Sequence, residues 1–165
     1  MSSKLYNTCK RTFTTIKYTK THEYIKFNSN TNIATIGITK KGLNTLKHII
    51  YSDYCVNIGN PIKVNDDIIL LESCVTLKNI ISPINGIVHD INKQVSIDCD
   101  LINTNPYENG WLLKIKYNKI NMNDENIKLL DEDERIDLED RMYHLKEDLV
   151  EKYDEINKQS EVVWK

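Results

Sequence analysis

No two of the four cysteines, Cys9, Cys55, Cys74 and Cys99, are spaced as a C-x-x-C pair. That removes the common zinc and dithiol motifs and fits reduced thiols better than a disulfide framework. His22, His48, His89 and His144 are scattered, with no metal-ligand spacing. No run approaches the roughly 20 apolar residues that a membrane helix needs, so no membrane partner is expected. A phosphate-cradling G-x-x-x-x-G-K-S/T loop is absent, and no Ser/His/Asp order has the context of a hydrolase.

Acids are missing from residues 1–22, which carry Lys4, Lys10, Arg11, Lys17 and Lys20. A basic, Ser/Thr-containing, acid-free start predicts an organellar transit segment over 1–22 and a mitochondrial matrix location, with a cytoplasmic protein as the alternative. The end of the chain is the reverse, with 15 acids against 8 basic residues over 119–165. With the first 22 residues set aside the protein is acidic, which argues against nucleic acid as a partner, since that needs Lys and Arg clustered on one face.

What is present is mostly extended. Tyr24–Phe27, Ile33–Ile38, Ile49–Val56, Ile68–Leu71, Gly86–Ile91 and Trp111–Tyr117 are Ile/Val-rich runs broken by Asn, Gly and Asp. Many short strands between turn signals predict a small β barrel or sandwich over 23–118. Thr39 is placed to N-cap a short helix bearing Leu43 and Leu46, Asp66 and Asp67 belong to a turn, and Trp111 is expected to plug the core. From about residue 124 the period changes. Leu138, Met142, Leu145, Leu149, Tyr153 and Ile156 form an apolar stripe, predicting a long acidic C-terminal helix over about 133–157 within an extension at 119–165. Its narrow stripe suits either the domain surface or self-association.

One hairpin stands out. In LESCVTLKNIISPINGIV, apolar runs on either side bracket Cys74-Val75-Thr76, as if to display a tip. The blocks THEYIKF, TIGIT, LLES, ISPINGIV and INTNPYENGWLLKIK follow one another in an order and spacing that resemble the glycine-cleavage-system H protein family. The likeness covers about residues 21–118 and continues more weakly through NDENIKLLDEDE. The resemblance implies a mainly β, lipoyl-domain-like barrel-sandwich hybrid with a C-terminal helical part. It also implies a carrier of aminomethyl groups between glycine decarboxylase, aminomethyltransferase and dihydrolipoamide dehydrogenase components, not a catalyst. The carried group rides on lipoate, amide-linked to a lysine at a hairpin tip.

The family's tip reads Glu-Ser-Val-Lys, then six residues, then Ser-Pro or Ala-Pro. Here Glu72-Ser73 and Ser82-Pro83 fix the frame on both sides, and the lysine position falls on Val75. Valine has no amine to acylate. Lys78 is the alternative lipoyl site, but an odd shift along a strand reverses the face of the side chain. Cys74 as a carrying thiol lacks the cationic neighbours that activate a thiolate. Three readings stand. The first is a degenerate H protein without a cofactor, docking through Glu72, Ser73, Cys74 and Thr76 on glycine-cleavage components or a lipoate-attaching enzyme. The second is an active carrier with lipoate on Lys78. The third is an unrelated protein-binding module that reuses the fold.

Overall fold

A computed structural model describes residues 14–118, 129–136, 149–150 and 152. The chain divides into two compact units, residues 1–129 and 130–165. The first unit is mainly β. Its strands are β1 (Thr14–Tyr18), β2 (Glu23–Asn28), β3 (Ile33–Ile38), β4 (Ile49–Tyr54), β5 (Pro61–Ile62), β6 (Asp67–Ser73), β7 (Leu77–Ile81), β8 (Gly86–Ile91) and β9 (Leu113–Lys116). Three short helices join them: α1 (Lys40–Leu46), α2 (Lys93–Ile97) and α3 (Asp100–Thr104).

The strands form two sheets, one in the order β1-β2-β3-β9-β8-β5 and one in the order β4-β6-β7. Alternation explains how they enclose a core. In β2, Ile25 and Phe27 are buried while Lys26 between them is exposed, so one face turns inward. The other sheet contributes Ile69, Leu71 and Ile80 to the same apolar cluster, which also holds Ile36, Leu113 and Ile115. Burial of a side chain of this size contributes roughly 1.5–3 kcal/mol, so these inward faces supply the main stabilisation.

Thr39 caps α1 as its position suggests, its Oγ1 accepting from the Gly42 N–H at 3.1 Å. Leu43 and Leu46 are both buried. Lys47 ends the helix with φ 65°, a left-handed conformation that costs energy outside glycine.

Four features differ from the sequence expectations. β1 lies inside residues 1–22, the stretch expected to stand outside the fold. It pairs antiparallel with β2 from Thr14↔Asn28 to Tyr18↔Tyr24, and Tyr18 is buried. The folded unit therefore includes Thr14–Tyr18, and the basic composition of the segment had masked a five-residue strand. Helices α2 and α3 went unread because five residues are too few to display a 3.6-residue period. Trp111 is not a core plug. It is half-buried, with the Lys114 ammonium 3.9 Å above its ring, while its neighbours Leu112 and Leu113 are fully buried. Half-buried, the indole offers the negative face of its ring to the Lys114 ammonium, an attraction a fully enclosed ring could not make with a solvated cation.

Most of the long helix expected over 133–157 lies outside the described residues. Within the second unit, residues 132–136 are helical. Glu134 reaches back to accept from the Asp131 N–H at 2.9 Å, as a capping-box acid does, and Arg135 pairs with Glu132 at 3.7 Å.

Candidate functional site

The hairpin β6–β7 is held by its own register and by one hydroxyl. β6 alternates so that Ile69 and Leu71 face the core and Glu72 faces solvent. Its partners in β7 follow in order: Glu72↔Leu77, Leu71↔Lys78, Leu70↔Asn79 and Ile69↔Ile80. Cys74, Val75 and Thr76 are left to make the tip.

Ser73 fixes that tip. Its Oγ accepts from the N–H of Thr76 at 3.0 Å and of Val75 at 3.3 Å, and it donates to the Thr76 carbonyl at 3.1 Å. The Ser73 N–H donates to the same carbonyl at 2.8 Å, closing a four-residue turn. The Cys74 N–H donates to the His48 carbonyl at 3.3 Å, which ties the tip to the start of β4. The result is a shaped apex. Val75 stands on it 65% exposed, flanked by exposed Glu72, Cys74, Thr76 and Leu77.

Lys78 is elsewhere. Opposite Leu71 in the register, it lies on the inward side of the hairpin. Its ammonium sits 3.5 Å from Glu23 Oε1 and donates to the Thr21 carbonyl at 3.3 Å. Glu23 is 2% exposed, and its carboxylate also accepts from the hydroxyls of Thr19 and Thr21. A buried carboxylate is tolerable because three donors surround it. The sequence placed His22 and Glu23 at the head of a strand but gave no sign that Lys78 would meet them. The polar run Thr19, Thr21 and Glu23, drawn together by the β1–β2 turn, was the available signal.

The other candidates disperse. Asp66 does serve a turn: its carboxylate accepts from the Lys63 N–H at 2.7 Å. His48 stands 3.3 Å from Asp100, beside a shallow depression of about 310 Å³ lined with Leu43, Asn44, Lys47 and Asn103. His89 is exposed on β8, and His144 lies outside the described residues. Cys55, Cys74 and Cys99 are free thiols. Burial, with Asp67 and Asp53 nearby, pushes the Cys55 thiol up, away from nucleophilic behaviour. Among the described residues no group of His, Cys, Asp and Glu could hold a metal ion.

A lipoyl amide requires a displayed primary amine. The apex presents an isopropyl group, and the one amine of the hairpin is engaged with a buried acid. These residues do not fit the group.

The family model for Glycine cleavage H-protein matches residues 16–140. A probable glycine cleavage system H protein from Thermoplasma volcanium is 36% identical over 104 residues, 63% of this chain and 82% of that protein. The glycine cleavage system H protein of Vibrio campbellii is 33% identical over 102 residues, 62% of this chain and 79% of its own. A crystal structure of a glycine cleavage system H protein from Mycobacterium marinum superposes with a TM-score of 0.64, covering 75% of this chain and 95% of that one. At 22% identity this likeness speaks for the fold: two sheets with minor helices.

Proposed function

The chain belongs to the glycine cleavage H-protein family, and from that premise we propose that it is a member without a carried group, acting by docking rather than by chemistry. The observation that carries this reading is the tip itself. Val75 occupies the displayed apex, where an acyl acceptor would have to stand. A lipoyl arm supplies the dithiol and the reach, so a carrier without its amine keeps only presentation and recognition. Those two capacities are supported by the Ser73-centred turn and by exposed Glu72, Cys74 and Thr76 beside it. The partners in this reading are the glycine decarboxylase, aminomethyltransferase and dihydrolipoamide dehydrogenase components, or the enzyme that attaches lipoate.

Lys78 as a working lipoyl lysine is disfavoured by cost. Acylation would convert its ammonium to a neutral amide and leave Glu23 buried without a counter-charge. A mitochondrial matrix location belongs to the same proposal, with any removed leader confined to residues ahead of Thr14. Mass spectrometry of the intact chain isolated from its own cells tests the reading. The expected result is no lipoyl increment. A lipoyl increment mapped to Lys78 overturns it.

A further inference from the structure

The sheet β4-β6-β7 buries one face and leaves the other open, and the register shows what that open face carries. Tyr51, Glu72 and Leu77 lie side by side across the three strands. Tyr51 is 52% exposed and Leu77 61%. A β-bulge between Ile49 and Tyr51 pushes Ile50 outward, also 55% exposed, and Val75 continues the patch over the tip. Four large apolar side chains thus share one corner, although each could have been turned inward or replaced by a polar residue. A contiguous apolar patch rimmed by polar groups marks an interaction site.

The charge on this face has one sign. Asp53 and Glu72 are exposed on it, and neither has an ion-pair partner among the described residues. Lys78 is the single basic residue in the three strands, and its ammonium is turned away to Glu23. We propose that this face, centred on Tyr51, Glu72 and Leu77, is the docking surface, and that its partner is a protein presenting an apolar cleft rimmed by Lys and Arg. A second copy of the chain is a poor occupant, because a two-fold pairing would set Asp53 and Glu72 against their own equivalents. The Val75 apex gains a role in this arrangement. Where an amine would have to be kept in water, an isopropyl group extends the apolar contact. The inference rests on the docking reading above and names the surface that performs it.

The experiment uses the full chain, immobilised, and titrates it separately with the three other glycine-cleavage components and a lipoate ligase of the same organism. Four proteins are compared: wild type, Leu77→Glu, Glu72→Lys and the control Ile87→Glu. Ile87 is 50% exposed on β8 of the other sheet. Wild type and the control are expected to bind one component alike. Leu77→Glu should weaken that binding by about tenfold or more, the loss expected for a central apolar contact. Glu72→Lys should weaken it too and flatten its dependence on salt. Circular dichroism confirms that the variants fold. If wild type binds and both patch variants bind equally well, the surface is wrong while the docking reading stands. If wild type binds none of the four proteins, both fail. Self-association of wild type that Leu77→Glu abolishes would make a second copy the occupant and overturn the stated partner.

Discussion

Lys78 and Glu23 meet between the two sheets, the ammonium 3.5 Å from a carboxylate that is 2% exposed. The contact fixes the returning strand of the hairpin to the head of β2. It also engages the one lysine of the β6–β7 hairpin, whose side chain stays about one-third exposed.

Removing the lysine should therefore cost stability rather than a modification. Lys78→Met removes the counter-charge of a buried acid and leaves it the hydroxyls of Thr19 and Thr21. We expect a loss of about 2 kcal/mol, at the lower side of a broken buried pair because Lys78 is itself partly exposed. Urea unfolding measures it. The double variant Glu23→Gln/Lys78→Met should recover part of the loss; if the two single losses simply add, the pair is not coupled.

Alkaline pH should loosen the fold through Tyr24. Burial, and then the neighbouring Tyr107, raise its phenol pKa well above the usual 10.0, and its hydroxyl donates to the Pro106 carbonyl at 2.8 Å. The folded chain holds this proton after the unfolded chain has released it. Stability is therefore full below about pH 10 and falls as pH rises beyond it. Tyr24→Phe should cost about 1 kcal/mol at neutral pH and make the decline above pH 10 shallower. Urea midpoints across pH 8–11 decide this, and an unchanged slope in the variant would count against it.

Gly110 should not tolerate a side chain. A Cβ there would run into the Leu101 carbonyl and stand 2.9 Å from the Ile102 Cα, both backbone of α3. Gly110→Ala is expected to lose about 2 kcal/mol, since the helix must shift to make room. A thermal midpoint equal to that of wild type would show that α3 yields freely.

Much of this was legible beforehand, for reasons visible in particular residues. Ile33–Ile38 and Gly86–Ile91 were readable to the residue because apolar runs there end at turn formers. Thr39 was readable because a capping hydroxyl acts only three residues along the chain. The apex at Val75 followed from a frame fixed by Glu72-Ser73 and Ser82-Pro83. Long-range partners were not legible. Nothing local tells Lys78 that Glu23 is near, or that Tyr51 and Leu77 flank Glu72, because those neighbours are made by sheet register. Trp111 misled for a related reason: its size suggested the core, but Leu112 and Leu113 took it.

On the docking reading proposed above, the hairpin lacks only its amine at the displayed position. The most direct test of that claim puts wild type and Val75→Lys through the same reaction with lipoate ligase, lipoate and ATP, then measures intact mass. The expected result is an unmodified wild type and a variant that gains one lipoyl group at residue 75, because Ser73 still shapes the turn and Glu72 still flanks it. A lipoyl group on wild type would contradict the claim outright. A folded variant that stays unmodified would show that the tip has lost recognition as well as its lysine.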